Sequence, residues 1–292
     1  MAADMKTVLE SLQGGTAWLE KRGVPEARRN MEHLLAHVLG VKRLDLYLQF
    51  DRPLAESELA PLRELLRRRG TREPLQHLLG SVEFAGRTFR TDQRALIPRP
   101  ETEDLALALL KEGPGEAGGR ALDMGCGSGV LGLTLAAAWR DHGWTAVLAD
   151  ASDEALALAA ENRAALGIEE ESATLVKTDL CSSLTGKFDL VAANLPYIDS
   201  AEMEGLQPEV RFDPALALDG GPGGLAVVAR FLEQIPRYMN PGARLALEVG
   251  AGQGAETCRL AEAAGLTDVH CVSDGTCPDR FVRARGGAEN KC

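Results

Sequence analysis

The chain has 292 residues, 45% hydrophobic and 26% charged, with a formal net charge of -11 at pH 7. That length suits about two domains of roughly 150 residues, and the composition excludes disorder, collagen-like repeats and a small disulfide-stapled scaffold. No run approaches the roughly 18 apolar residues of a membrane span, and Met1 to Lys6 carries no signal-peptide pattern, so a cytoplasmic protein without a membrane partner is expected.

Residues 1–75 read as a small helical bundle. Met31, Leu34, Leu35, Val38 and Leu39 keep one apolar face and Gly40 follows as a stop. Leu59, Leu62, Leu65 and Leu66 repeat the pattern, with Ser57 as the expected N-cap and Gly70 as the end. Arg67-Arg68-Arg69 with Arg72 is the one basic cluster, and cations at the negative end of a helix predict a solvated helix terminus there. Val82-Glu83-Phe84 and Arg87-Thr88-Phe89 flank Ala85-Gly86 as a short hairpin. The two prolines of Ile97-Pro98-Arg99-Pro100-Glu101 exclude regular helix, which resumes at Thr102. The expected division is a helical domain at 1–75, a hairpin linker at 76–100 and an α/β domain at 101–292.

From residue 120 the rhythm is strand then helix. Strands are predicted at 121–124, 146–149, 173–177 and 188–193, with helices running to 138 and over 153–166. A helix over 225–239, a strand over 244–249, a helix over 253–264 and closing strands at 269–272 and 280–285 complete a seven-stranded pattern. Alternation of this kind predicts a mostly parallel sheet covered on both faces. Gly220-Gly221-Pro222-Gly223-Gly224 is read as a loop and Gly286 to Cys292 as a frayed tail.

The six cysteines include no C-x-x-C and the five histidines no H-E-x-x-H, so no metal site is expected. Only Cys271 and Cys277 are close enough in sequence to suggest a bridge, and a reducing compartment argues for free thiols. The first 90 residues hold 15 Lys and Arg against 12 Asp and Glu, leaving 17 against 31 beyond. An acidic domain with no basic stripe is poorly suited to bare nucleic acid, whose binding depends on phosphate neutralisation.

The first strand of the sheet runs into Asp123-Met124-Gly125-Cys126-Gly127-Ser128-Gly129, where a doubly wound sheet holds a nucleotide-like ligand and glycine allows close backbone approach. Asp150, ending the next strand, suits ribose hydroxyls. Gly127-x-Gly129-x-x-Gly132 also fits a dinucleotide fingerprint. Asp123 beside the loop favours S-adenosyl-L-methionine, whose ammonium group a nicotinamide dinucleotide lacks. Asp179 is placed to accept from an adenine amino group, and Leu180 to pack on the ring. The fourth strand leads into Asn194-Leu195-Pro196-Tyr197 at the carboxyl edge of the sheet, opposite the glycine loop. Asn194 Oδ1 and the Leu195 carbonyl can each accept one N–H of a planar amino group and aim its nitrogen at a sulfonium methyl. Pro196 fixes the carbonyl direction and Tyr197 offers a flat wall. Positioning of two reactants, more than acid–base chemistry, would then drive transfer.

Taken together, the helical N-terminus, the hairpin, Ile97-Pro98-Arg99-Pro100-Glu101-Thr102-Glu103, the glycine loop, Asn194 to Tyr197 and Phe212-Asp213-Pro214 resemble the HemK/PrmC family of protein-(glutamine-N5) methyltransferases. The resemblance spans roughly residues 25–285 and implies a class I S-adenosylmethionine-dependent methyltransferase, Rossmann-like, with a small N-terminal helical domain that recognises substrate. It implies methyl transfer to the Gly-Gly-Gln glutamine of peptide chain release factors; a monomer is expected, and the charge balance argues against direct nucleic-acid contact. Gly125 to Gly129, Asp150 and Asn194 would bind cofactor, and Asn194 to Tyr197 the glutamine. The family usually has N-P-P-Y, so Leu195 replaces a proline. Asn30-Met31-Glu32 likewise replaces a more usual Asp-Ala-Glu, and Leu180 stands where some relatives carry an aromatic residue. N-L-P-Y also occurs in N6-adenine methyltransferases, the alternative enzyme class, which the acidity beyond residue 90 and the I-P-R-P-E-T-E segment disfavour. A non-catalytic module of the same fold is disfavoured by the intact Asn194, Pro196 and Tyr197.

Overall fold

The structure is a computed structural model that describes residues 6–115, 118–273 and 279–287. It divides into two compact units, one of residues 1–81 with 207–212 and one of 82–206 with 213–292. The expected boundaries at 75 and 100 are therefore corrected. The hairpin of β1 (Ser81–Phe84) and β2 (Arg87–Arg90) is no separate linker, because Phe84 and Phe89 are fully buried in the core of the second unit. Their rings meet edge to face at 6.0 Å, and the Ala85 N–H at the turn donates to Glu103 Oε1 at 2.7 Å.

The first unit is helical: α1 (Val8–Glu20), α2 (Ala27–Leu39), α3 (Glu56–Gly70) and α4 (Leu75–Leu79). Val8, Leu12, Met31, Leu34, Leu35 and Leu62 meet in one core. Thr7 caps α1 in a reciprocal pair with Glu10, and Gly40 ends α2 in the left-handed conformation with φ 65°. Ser57 is not the cap of α3; the helix starts after Ala55, whose N–H donates to Glu58 at 2.9 Å. Gly70 is the last helical residue, not a left-handed stop. A Cβ there would lie 2.3 Å from the Trp18 ring, so close packing fixes the glycine.

The arginine cluster is a solvated terminus only at Arg67 and, in part, Arg68. Arg67 pairs with Glu64 and Arg68 with Glu73. Arg69 is buried, donating to Asn30 Oδ1 at 2.7 Å and Glu209 Oε1 at 2.9 Å. Arg72 reaches both oxygens of Glu209 at 2.6 and 2.7 Å. Burial pushes the Glu209 carboxyl up, yet the hydrogen bonds from Arg72 and Arg69 hold it net below the ordinary carboxylate range.

The second unit carries a seven-stranded sheet in the order β5-β4-β3-β6-β7-β9-β8. Its strands are β3 (Arg120–Met124), β4 (Thr145–Asp150), β5 (Ala173–Lys177), β6 (Phe188–Asn194), β7 (Met239–Glu248), β8 (Thr267–Val272) and β9 (Phe281–Arg285). The first five pair parallel, and β9 pairs antiparallel with β7 and β8. Apolar residues on both faces cause this placement. Leu190 and Ala192 of β6 enter one core, with α5 (Pro100–Glu112) and α6 (Val130–Trp139), while Val191 and Ala193 enter the other, with α8 (Ala226–Gln234) and α9 (Gly254–Ala263). The helix α7 (Asp153–Ala165) joins β4 to β5, capped by the Ser152 hydroxyl.

Two further expectations change, and one falls outside the described residues. The helix expected over 225–239 stops at Gln234 and continues as a 3-10 turn to Tyr238, because Pro236 lacks an N–H and clashes with the preceding turn. Gly286 is paired, its N–H donating to the Ala243 carbonyl at 2.8 Å, while residues 288–292 of the tail lie outside the described residues. Cys277 also lies outside them, and the sulfur beside Cys271 is that of Cys258, 3.1 Å away, both as free thiols.

Candidate active site

The glycine loop leaves β3 at the point where strand order reverses, the crevice in which open α/β sheets bind ligands. The Gly125 and Cys126 N–H groups donate to the Ala149 carbonyl at 2.8 and 3.1 Å, folding the loop over the end of β4. Gly129, with φ 82°, is the residue before α6, and a Cβ there would press on Leu133, Leu148 and Ala159 at 3.0–3.2 Å. A Cβ on Gly125 would meet Leu195 Cδ2 at 3.1 Å and the Asn194 carbonyl at 3.3 Å. The two motifs expected to face each other are thus in contact.

Acidic groups organise this loop. Asp123 Oδ2 accepts the Gly132 N–H at 2.7 Å, tying β3 to α6. Burial pushes the Asp123 carboxyl up to about 7, against the Gly132 hydrogen bond and with help from the Asp150 charge. Asp150 accepts the Gly127 N–H at 2.9 Å on one oxygen and the Ser152 N–H at 2.9 Å on the other, and burial raises its carboxyl too. Cys126 is buried, and Ser128 Oγ is buried without a hydrogen-bond partner. Asp179 pairs with Arg230 of α8 at 2.9 Å, a partner the sequence reading missed. Leu180 is buried with φ 48°, the Thr178 hydroxyl donating to its carbonyl at 2.7 Å.

These residues line a cavity of about 240 Å³ together with Asn194, Leu195 and Pro196. Asn194 ends β6 in register with Glu248 of β7. Its Nδ2 donates to the Thr102 hydroxyl at 2.9 Å, and that hydroxyl donates to Glu248 Oε2 at 2.6 Å. Leu195 is buried, its side chain in the core. Among the described residues no protein donor reaches Asn194 Oδ1 or the Leu195 carbonyl. Tyr197 is not among the cavity walls; its ring centroid lies 5.6 Å from Arg280 Cζ and its carbonyl accepts from Gln253 Nε2 at 2.8 Å. The flat wall expected of Tyr197 is therefore not part of this cavity.

The 220–224 glycines, read only as a loop, support the motif from behind. A Cβ on Gly220 would lie 2.7 Å from the Pro196 carbonyl, and one on Gly224 would lie 2.3 Å from that of Tyr197. Only glycine admits such backbone contact. Arg99 is similarly structural: its guanidinium meets Asp213 Oδ2 at 2.6 Å, and the other oxygen accepts the Ile97 N–H at 3.1 Å. Thr102, Glu248 and Gln253 escaped the sequence reading because their contacts join positions far apart in the chain, although Thr102 stands within the proline-rich segment that was singled out.

A sheet of this order, a glycine loop after its first strand and an Asn-x-Pro-Tyr turn after its fourth define a class I methyltransferase, whose methyl donor is S-adenosylmethionine. A family model described as the PrmC N-terminal domain matches residues 10–80, and one described as the methyltransferase small domain matches residues 102–240. The release factor glutamine methyltransferase of Geobacter sulfurreducens is 38% identical over 96% of this chain and 97% of its own. The human MTRF1L release factor glutamine methyltransferase is 35% identical over 85% of this chain and 77% of its own. Among solved structures, the hMettl16 catalytic domain aligns with a TM-score of 0.54 at 15% identity, covering 80% of this chain and 82% of that one, a likeness of fold alone. The chain belongs to the release factor glutamine methyltransferase family, and it is an S-adenosylmethionine-dependent protein glutamine methyltransferase.

The residues present suit that cofactor. Gly125, Cys126, Gly127 and Ser128 of the loop line the cavity, Asp150 offers carboxylate oxygens to hydroxyl donors, and Ser128 holds an unmet hydroxyl beside it.

Proposed function

We propose that this enzyme methylates the side-chain amide nitrogen (N5) of the glutamine in the Gly-Gly-Gln loop of peptide chain release factors. The observation that carries this reading is the pair of adjacent acceptors without protein donors, Asn194 Oδ1 and the Leu195 carbonyl, on two residues that line the same cavity as Gly125 to Ser128. A primary amide has two N–H donors in one plane, and two acceptors fix both the position and the tilt of that plane. An amide nitrogen is a weak nucleophile because its lone pair is shared with the carbonyl. Accepting both N–H bonds draws electron density back to nitrogen as positive charge develops there.

S-adenosylmethionine supplies an electrophilic methyl group on a sulfonium. Gly125, Cys126, Gly127, Ser128 and Gly129 would form its cradle, Asp150 would take the ribose hydroxyls, Asp179 the adenine amino group and Leu180 the ring face, and Asn194 would touch both reactants. Pro196 and Tyr197 hold the Leu195 carbonyl in place, Tyr197 through its own carbonyl bond to Gln253. Transfer would form the nitrogen–methyl bond as the methyl–sulfur bond breaks, the electron pair staying on sulfur to leave a neutral thioether, while the amide nitrogen releases one proton to water. The same reading makes the enzyme a cytoplasmic monomer whose N-terminal unit recognises the release factor. The acidity beyond residue 90 supports a protein substrate over direct nucleic-acid contact, and no helix among the described residues is long and apolar enough to cross a membrane.

The test is methyl transfer from labelled S-adenosylmethionine to purified release factor, to its Gly-Gly-Ala variant and to adenine-containing rRNA. Label on the glutamine protein alone is expected. Label on the RNA instead would overturn the reading in favour of an N6-adenine methyltransferase.

A further inference from the structure

Glu248 is completely buried at the carboxyl end of β7, one oxygen bonded to Thr102 and the other, Oε1, without a hydrogen bond. A buried carboxyl oxygen without a hydrogen bond costs stability, and the Arg280 charge 3.6 Å from Oε1 offsets that only in part. The groups facing it are Thr102, Glu101 and Arg99 around the start of α5, Arg280 before β9 with Nη2 at 3.6 Å from Oε1, and Tyr197. Asn194 is its neighbour on β6 and bonds to the same Thr102 hydroxyl.

We infer that Thr102 and Glu248 are positioning residues that set which way round the Asn194 side-chain amide stands. The argument follows from the proton inventory of a hydroxyl, which has one hydrogen to give. With Glu248 ionised, that hydrogen goes to the carboxylate, so the Thr102 oxygen can only accept from Asn194. Asn194 must then turn Nδ2 toward Thr102 and Oδ1 toward the cavity, the orientation that accepts a substrate N–H. If Glu248 is protonated, its own O–H can donate to the Thr102 oxygen, and the freed hydroxyl hydrogen can donate to Asn194 Oδ1. The amide then turns over and presents an NH2 group where the substrate amide needs an acceptor.

The charge of one buried carboxylate thus selects the productive amide orientation. Burial pushes the Glu248 carboxyl up to about 7, opposed by the Thr102 hydrogen bond and the Arg280 charge and aided by Glu101. The positive end of α5, where Thr102 is the third residue, favours the ionised form as well.

This inference rests on the proposed glutamine methylation, and the experiment separates the two. Wild type, Thr102→Val, Thr102→Ser and Glu248→Gln are compared for kcat, release-factor KM and S-adenosylmethionine affinity across pH 5.5 to about 9, a range bracketing an ordinary and a raised carboxyl. Inactivity of wild type on release factor would sink the function. With active wild type, Thr102→Val is expected to lower kcat about tenfold or more while cofactor affinity and KM stay within about threefold, and Thr102→Ser to restore kcat. Wild-type kcat should rise with pH through an apparent value near 7, and Glu248→Gln should lose that limb while still binding cofactor. Full kcat in Thr102→Val, failure of serine to restore it, or a persisting limb in Glu248→Gln would overturn the inference. A Thr102→Val protein that does not fold leaves the serine and glutamine variants to decide.

Discussion

Glu209 Oε1 stands 2.9 Å from Arg69 Nη2, joining residues 140 positions apart, and Arg69 is buried to all but 4% of its surface. The segment 207–212 belongs by its contacts to the helical unit although it follows the Asn194 turn in the chain. Removing the carboxylate leaves the buried Arg69 guanidinium its Asn30 and Glu73 carbonyl bonds but no counter-charge. Glu209→Gln should therefore destabilise that unit by about 3 kcal/mol at pH 7, as for other buried ions that lose their charged partner. Because the folded carboxyl is held below its unfolded value, this stabilisation is complete above the unfolded range and is lost as pH falls through the folded value. Urea denaturation at pH 7 and pH 3 checks both parts, since the gap between variant and wild type should close in acid.

Asn194→Ala removes one of the two acceptors and leaves the glycine loop intact. We expect kcat to fall by about 10²-fold or more, the penalty for losing orientation of a reacting group, with S-adenosylmethionine affinity reduced far less. Single-turnover transfer alongside calorimetric titration of the cofactor distinguishes this from loss of the fold.

Gly224→Ala places a methyl group 2.3 Å from the Tyr197 carbonyl at a residue with φ 71°. Both strain and collision push the Asn-Leu-Pro-Tyr turn out of position, at a cost of about 1–3 kcal/mol. Transfer should be nearly abolished in a protein whose circular dichroism is unchanged; normal turnover would show that the turn tolerates displacement.

Asp123 titrates in the folded protein at about 7, well above its ordinary value of 3.8. Between those values the folded state holds a proton that the unfolded chain has released, so stability falls as pH rises across this window and is flat above it. Asp123→Asn keeps an acceptor for the Gly132 N–H and removes the buried charge. Its melting temperature should exceed that of wild type at pH 8 and match it near pH 4, by scanning calorimetry without cofactor.

Leu195→Pro stiffens the turn without touching an N–H that is in use, since the Leu195 amide makes no backbone hydrogen bond among the described residues. Turnover is expected to equal or exceed wild type by up to about threefold, the rate equivalent of the roughly 0.4–1 kcal/mol such a change brings. A drop below wild type would mean that the leucine side chain against Gly125 matters more than backbone rigidity.

The sheet was legible because buried parallel strands are short apolar runs bounded by Gly and Asp. Ala173–Lys177 is bounded correctly at both ends. The strand β7 begins at Met239, five residues before the expected Arg244, because Asn240-Pro241-Gly242 reads locally as a turn while an irregular pairing of Met239 with Phe188 carries the strand through it. At the site, the glycine loop and Asn194 announce themselves as contiguous motifs. Glu248 could not, since a lone glutamate at the end of an apolar strand looks like a surface terminus until the register sets it beside Asn194. The same limit hid Glu209, whose partners Arg69 and Arg72 resemble a solvated helix end when only their neighbours in sequence are considered.

At position 195 the side chain is spent on the core against the glycine loop, and the group left without a protein partner among the described residues is main-chain oxygen. Every L-amino acid carries that oxygen. Exchanging proline and leucine here leaves the acceptor offered to an incoming amide in place and alters only the stiffness of its mount, so the lettered signature is a poor proxy for the chemistry. The durable signature is a trace of carbonyl oxygens, held in place by glycines that are themselves nowhere near the reacting atoms in the sequence.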